Sequence, residues 1–478
     1  MTFRMNGKRP AAALCLAVAA CGGAAITANV VAGEPDKTLP LVQTTGETPP
    51  SLAPDPQDGP LLNEKGLKPF EVHEWGVFSV YPTARYANVD MAKEWAELPK
   101  WMYRSFPSIN LPTQPMKVRK PIVYFHWADP PLPKEPFTMR IRFPQGRPIV
   151  WYPTAADAVV MVDDEGSRAA AAEFAATALR ATLTWRFWLT DPYPTMGVQD
   201  AQRPSLPVVP ADHWYARARQ VKSDPLFVYR TFGRHGPLIE TEQFVYYDGV
   251  MAPLPCLRAK RDDQGAIYLE NSAPYAIHDL YAVEMKKDEA YSEACVPLVP
   301  VGQKIVRLNW RGWSLREGTK HPTPSTPVLL LSSLVKAGLN QDEAQALVDI
   351  WKPAFFGQEG LTLIYRLPQK EYDRVTTMAL DPAPAKLVRV GLVHQPHAEP
   401  ELPSRVAGLI TRLAGVDAGD VKAATMAILD LGGAALEGLE KARVQSKDET
   451  RLKTLDALIR QIDISADPAF RMPKKSDS

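Results

Sequence analysis

Alternation of apolar and polar residues with a period of two dominates the first half of the chain. Phe137, Met139, Ile141 and Phe143 alternate with Thr138, Arg140 and Arg142, the pattern of a half-buried strand. Leu179, Ala181, Leu183, Trp185, Phe187 and Leu189 alternate in the same way with Arg180, Thr182, Thr184 and Arg186. Residues 122–125 and 149–152 are short apolar runs of buried-strand type, and Ser167 is placed to cap an Ala-rich helix over 168–176. The pattern predicts a β-rich domain over 67–200. From 205 to 318, strand signals at 226–229, 243–247, 266–269, 280–283 and 305–308 are separated by turn chemistry at 271–274 and 301–302. That spacing predicts a second, Ig-like or fibronectin-like sandwich.

The Pro-rich run His321-Pro322-Thr323-Pro324-Ser325-Thr326-Pro327 marks a boundary. Beyond it, Asn340 and Glu343 form a capping-box pair that opens a helix carrying Ala346, Leu347, Ile350 and Trp351. Apolar runs at 361–367 and 387–393 flank a short helix begun at Pro368, which makes 328–397 an α+β segment. The period then changes to 3.6. Leu402, Val406, Leu409 and Leu413 share one helical face, as do Val421, Ala424, Ile428 and Leu431. Leu436 and Leu439 mark a third helix, and Leu452, Leu455, Ile459 and Ile462 a fourth. The run from Asp420 through Leu431-Gly432-Gly433 to Leu436 resembles a HEAT-like repeat over 401–463. Two such units cannot bury both faces alone, so they lean on the body or hold a protein partner. The expected fold is multi-domain and mainly β: two sandwich-like domains, an α+β segment, a C-terminal helical repeat pair and a disordered tail over 464–478.

Charge and cysteine content narrow the function. Lys plus Arg is 55 and Asp plus Glu is 54, a net charge of +1, so no global field holds nucleic acid. Arg4, Lys8 and Arg9 precede an uncharged run from 11 to 32, the layout of a signal peptide or N-terminal anchor over 1–32. Val30-Val31-Ala32 suits a cleavage site; Val18-Ala19-Ala20-Cys21 reads alternatively as a lipobox that would lipidate Cys21. Seven prolines between Pro35 and Pro60 make 33–66 an extended linker. These features predict a periplasmic or extracellular protein that meets the membrane only through its N-terminus. In such a compartment the remaining cysteines, Cys256 and Cys295, are expected to form a disulfide.

Phe70-Glu71-Val72-His73-Glu74-Trp75-Gly76-Val77-Phe78 resembles the opening signature of a family of exported bacterial proteins, with Val77 where the family form carries Thr. Residues 120–125, 244–249 and 365–368 match further blocks, so the resemblance spans about 70–394. It implies export and a β-rich multi-domain fold, and no chemistry.

His73-Glu74-Trp75-Gly76 is the densest polar and aromatic cluster. On a strand, His73 and Trp75 share one face and Glu74 takes the other. With His126 or Asp129 from another strand, His73 could ligate a divalent metal while Glu74 acts as base and Trp75 stacks on a ligand. The plainer alternative is a hydrogen-bonded histidine beside a core tryptophan. Gly-x-Ser-x-Gly, His-Glu-x-x-His and Gly-rich phosphate loops are absent from the sequence. The expectation is therefore an exported binding or scaffolding protein of the cell envelope. The alternative is a metal-dependent hydrolase or carbohydrate-active enzyme centred on His73 and Glu74.

Overall fold

The computed structural model describes residues 70–104, 116–127, 132–156, 182–231, 237–262, 266–285, 290–302, 306–308, 311–314 and 325–463. The N-terminal segment with Cys21, the linker, Asp129, the helix expected at 168–176 and the last fifteen residues lie outside them.

Eighteen strands are defined within the described residues. Ten join in one mixed sheet: β1 (Phe70–Val80), β2 (Tyr103–Arg104), β3 (Met116–Trp127), β5 (Gly146–Tyr152), β9 (Val245–Met251), β12 (Ile277–Met285), β13 (Ala290–Val299), β15 (Arg311–Ser314), β16 (Gly360–Leu367) and β18 (Lys386–Gln395). Their order is β15-β13-β12-β16-β18-β1-β3-β9-β5-β2. The β1·β18 pair is parallel, and β1·β3 is antiparallel. Smaller sheets pair β4 (Phe137–Arg142) with β6 (Thr182–Phe187) and β17 (Thr377–Asp381), β7 (Leu226–Thr231) with β8 (Pro237–Glu242), and β10 (Leu257–Arg261) with β11 (Ile267–Asn271) and β14 (Val306–Arg307).

This topology corrects the expected pair of sandwich domains. Strands from 67–200, from 205–318 and from the α+β segment hydrogen-bond side by side, with β9 inserted between β3 and β5. Alternation marks a strand and its faces; it carries no signal for which distant strand lies alongside. The architecture is mixed α/β. β1 is buried along almost its whole length because both faces are covered. One face meets α4 (Gln341–Phe356), whose Trp351 meets His394 of β18 edge to face with ring centroids 6.2 Å apart. The other face meets the β17-β4-β6 sheet through Phe70 against Phe137, and on the same side Tyr247 of β9 packs against Phe143 just past β4.

The remaining described helices are α1 (Ala84–Glu97), α2 (Trp214–Ala218), α3 (Ser325–Lys336), α5 (Gln369–Val375), α6 (Leu402–Arg412), α7 (Ala418–Leu431), α8 (Leu436–Gln445) and α9 (Glu449–Ile462). The last four match the tail's predicted stretches. Their shared apolar face is covered by Tyr81, Tyr86, Ala87 and Val89 on and just before α1. The closeness depends on Gly433, where an added Cβ would stand 2.6 Å from the Tyr86 ring. Gly432 beside it takes φ +52, so the Leu-Gly-Gly sequence supplies both the helix stop and the approach.

Cys256 and Cys295 are not bonded to each other, which corrects the expected disulfide. Cys256 is half-buried just before β10, where its carbonyl accepts from Ser272 Oγ at 2.8 Å. Cys295 is exposed on β13, paired in register with Tyr281 in the large sheet. Cys256 leads into the β10-β11-β14 sheet, whereas Cys295 lies within the ten-stranded sheet; an even cysteine count carries no such geometry.

Candidate metal centre

The strand register assembles one polar cluster from residues far apart in sequence. Glu71 and His73 are two positions apart on β1, so they share a face. In the antiparallel β1·β3 register Glu71 lies opposite His126 and His73 opposite Tyr124. In the parallel β1·β18 register Glu71 lies beside Lys386. This part of the face thus collects two imidazoles, a carboxylate and an ammonium.

Helix α4 brings the last member. Asn340 is its N-cap and Glu343 its third residue, and the capping box forms: Asn340 N donates to Glu343 Oε2 at 2.6 Å. Because this helix start lies against the sheet face, the capping carboxylate is fully buried and has lone pairs to spare. His73 Nδ1 meets Glu343 Oε2 at 2.9 Å, and His126 Nε2 meets Glu343 Oε1 at 2.8 Å. The His73 and His126 ring centroids are 4.8 Å apart. On its other side, His73 Nε2 meets Glu71 Oε2 at 3.1 Å, and Lys386 Nζ reaches the same oxygen at 3.1 Å.

Burial disfavours the charged forms of Glu343, His73 and Glu71, but mutual pairing overrides it. Desolvation would raise the Glu343 carboxyl; the His126 and His73 contacts and the Asn340 amide hold it down to about 2. Desolvation would lower His73, yet the carboxylates of Glu343 and Glu71 leave it raised above its ordinary value. As built, the cluster is a carboxylate bridging two imidazoles, with His73 held between the carboxylates of Glu343 and Glu71.

The donor set also fits a metal ion. Among the described residues, His73, His126 and Glu343 form the one group of three His, Cys, Asp or Glu residues whose ligand atoms lie within 4.8 Å of one another. Two imidazole nitrogens and a carboxylate oxygen form the ligand set of hydrolytic zinc sites. His73 is 1% exposed and Glu343 fully buried. The His126 side chain, 20% exposed, opens onto a shallow groove that includes Arg217, Lys222, Asn340, Asp342 and Gln345.

The other residues singled out from the sequence lie elsewhere. Glu74 points to the opposite face, where it pairs with the buried Arg389 guanidinium and accepts from Tyr247 OH. Arg389 is also held by Asp373 at 2.7 Å and by the Thr376 carbonyl at 2.6 Å. Glu74 therefore does not reach the histidines, and its partner set is that of a compensated internal charge. Trp75 is completely buried in the large core, so it offers no ring to a ligand. Asp129 falls outside the described residues. Glu343 is the residue that site reasoning missed. The sequence marks it as a helix cap, and nothing local shows that its carboxylate meets a histidine 270 positions earlier.

A second buried cluster surrounds Glu94, which receives Lys117, Arg119 and Lys120, while Asp90 meets Arg119 and Asp248 meets Lys117. Its three cations and three anions compensate one another, and it contains no imidazole or thiol. The His73–His126–Glu343 centre is the site with chemistry to spare. No family model, curated protein or solved structure matches the chain.

Proposed function

We propose that this chain is an exported cell-envelope protein that binds a divalent transition metal through His73, His126 and Glu343 and uses it in hydrolysis. The observation that carries the reading is the convergence of two imidazoles and one carboxylate, delivered by β1, β3 and the first turn of α4. Imidazole donors favour zinc, cobalt, nickel or copper over magnesium and calcium, which prefer all-oxygen shells. Three protein ligands, rather than four, is the count of a catalytic rather than a closed structural site. A bound ion would supply Lewis acidity and an acidified water. The residues of the chain define the approach: His126 is the most exposed member of the cluster, and Lys222 and Arg217, the latter paired with Asp349 at 2.8 Å, line the adjoining groove. Asp342 also lines this groove, its carboxylate accepting from the Lys222 amide at 2.9 Å.

Binding or scaffolding without chemistry is the second reading, favoured by the near-complete burial of His73 and Glu343. Elemental analysis of purified protein tests the metal. About one equivalent of metal, lost in His73→Asn, supports the reading; native protein devoid of metal and silent in a Co(II) titration refutes it. A panel of chromogenic esters and phosphate esters then separates the two roles.

A further inference from the structure

We infer that Glu71 is the positioning residue of this centre, an outer carboxylate that orients His73 so that Nδ1 is presented to the metal; this rests on the metal reading above. The two ring nitrogens of His73 have different neighbours. Nδ1 faces Glu343, inside the cluster of donor atoms. Nε2 faces away from it, 3.1 Å from Glu71 Oε2. When Nδ1 is a ligand it carries no proton, so the remaining ring proton sits on Nε2 and donates to Glu71. A histidine that ligates with one nitrogen and donates to a carboxylate with the other has a locked tautomer, a locked ring orientation and a more basic ligand atom.

Three features keep Glu71 outside the ligand set. Its side chain is 45% exposed, whereas those of the three ligands are at most 20% exposed. The oxygen that meets His73 is shared with Lys386 Nζ, a cation on the side of Glu71 away from the cluster. The strand register holds Glu71 beside Lys386 and two residues from His73, so its backbone cannot move toward α4 without breaking β1·β18 pairing. Glu71 can therefore act on the ion only through the imidazole. Lys386 limits which way its carboxylate turns.

The test titrates metal-free protein with Co(II), following affinity and the visible absorption spectrum, for the native chain, Glu71→Ala and Glu71→Gln. Glu71→Ala is expected to weaken Co(II) binding roughly 10–100-fold and to alter the spectrum, the effect of losing an outer-sphere carboxylate. Glu71→Gln keeps an acceptor for the ring proton and is expected to recover part of the loss. Thermal melting of the metal-free variants separates positioning from folding. A lowered metal-free melting temperature with native Co(II) affinity and spectrum assigns Glu71 a structural role and overturns the inference. Native protein that takes up no Co(II) overturns the metal reading itself, and this inference with it.

Discussion

Replacing Glu343 by Gln removes the charge from the cluster while retaining its shape and one acceptor. The magnitude follows from the carboxyl's own titration. A fall from 4.5 to about 2 on folding, at about 1.4 kcal/mol per pH unit, corresponds to about 3 kcal/mol of stabilisation at neutral pH. Loss of one partner from a buried ion pair typically costs about 3–5 kcal/mol, so the two scales agree. The sign with pH is fixed by the direction of each shift. Glu343 is depressed, so its contribution is present above about 4.5 and fades as pH falls toward 2. His73 is raised, so its contribution is complete below 6.5 and is lost as pH rises through its folded value. The metal-free clamp is thus strongest between these limits. The assay is hydrogen exchange of the α4 amides, 341–356, in EDTA at about pH 6. A loss of about 3 kcal/mol speeds exchange roughly a hundredfold. The difference between native and variant should shrink as pH is lowered below about 4.5. Acceleration of less than about fivefold, equivalent to about 1 kcal/mol, would show that Glu343 does not hold α4 to the sheet.

Unfolded, unreduced protein lacking residues 1–32 should label at two thiols, and the double variant of Cys256→Ser and Cys295→Ser should keep the native urea midpoint; a chain with no reactive thiol restores the disulfide. Glu74→Gln should lower the urea midpoint, because buried Arg389 then keeps only the half-exposed Asp373 carboxylate as counter-charge, yet leave Co(II) affinity unchanged; a changed affinity would put Glu74 in the metal centre after all. Leu431→Asp puts a charge where the side chain is nearly fully buried among α6–α9 and Tyr86. Limited proteolysis of that variant should cut first beyond about residue 400 and next in α1, whose Tyr86 and Val89 lose their cover; simultaneous loss of the whole chain would show that the tail does not open separately.

What the sequence determined by itself was local. The 3.6 period placed the four tail helices, because each amphipathic face is written in residues three and four apart. Period-two alternation placed β4 and β6 and put His73 and Glu74 on opposite faces, because a strand's side chains have no other choice. The Asn340–Glu343 capping box was legible for the same reason, being a contact across one helical turn. The tertiary structure alone decided the rest. Which strands lie together depends on pairings across hundreds of residues, so spans that look like separate sandwiches share one sheet. The Glu74–Arg389 pair spans 315 positions, and no periodicity links its ends. Glu343 shows the division within one side chain: its bond to Asn340 is local and readable, whereas its bonds to His73 and His126 exist only because α4 starts over β1 and β3. The sheet register supplies two imidazoles, the helix supplies a buried carboxylate, and their meeting is a property of packing.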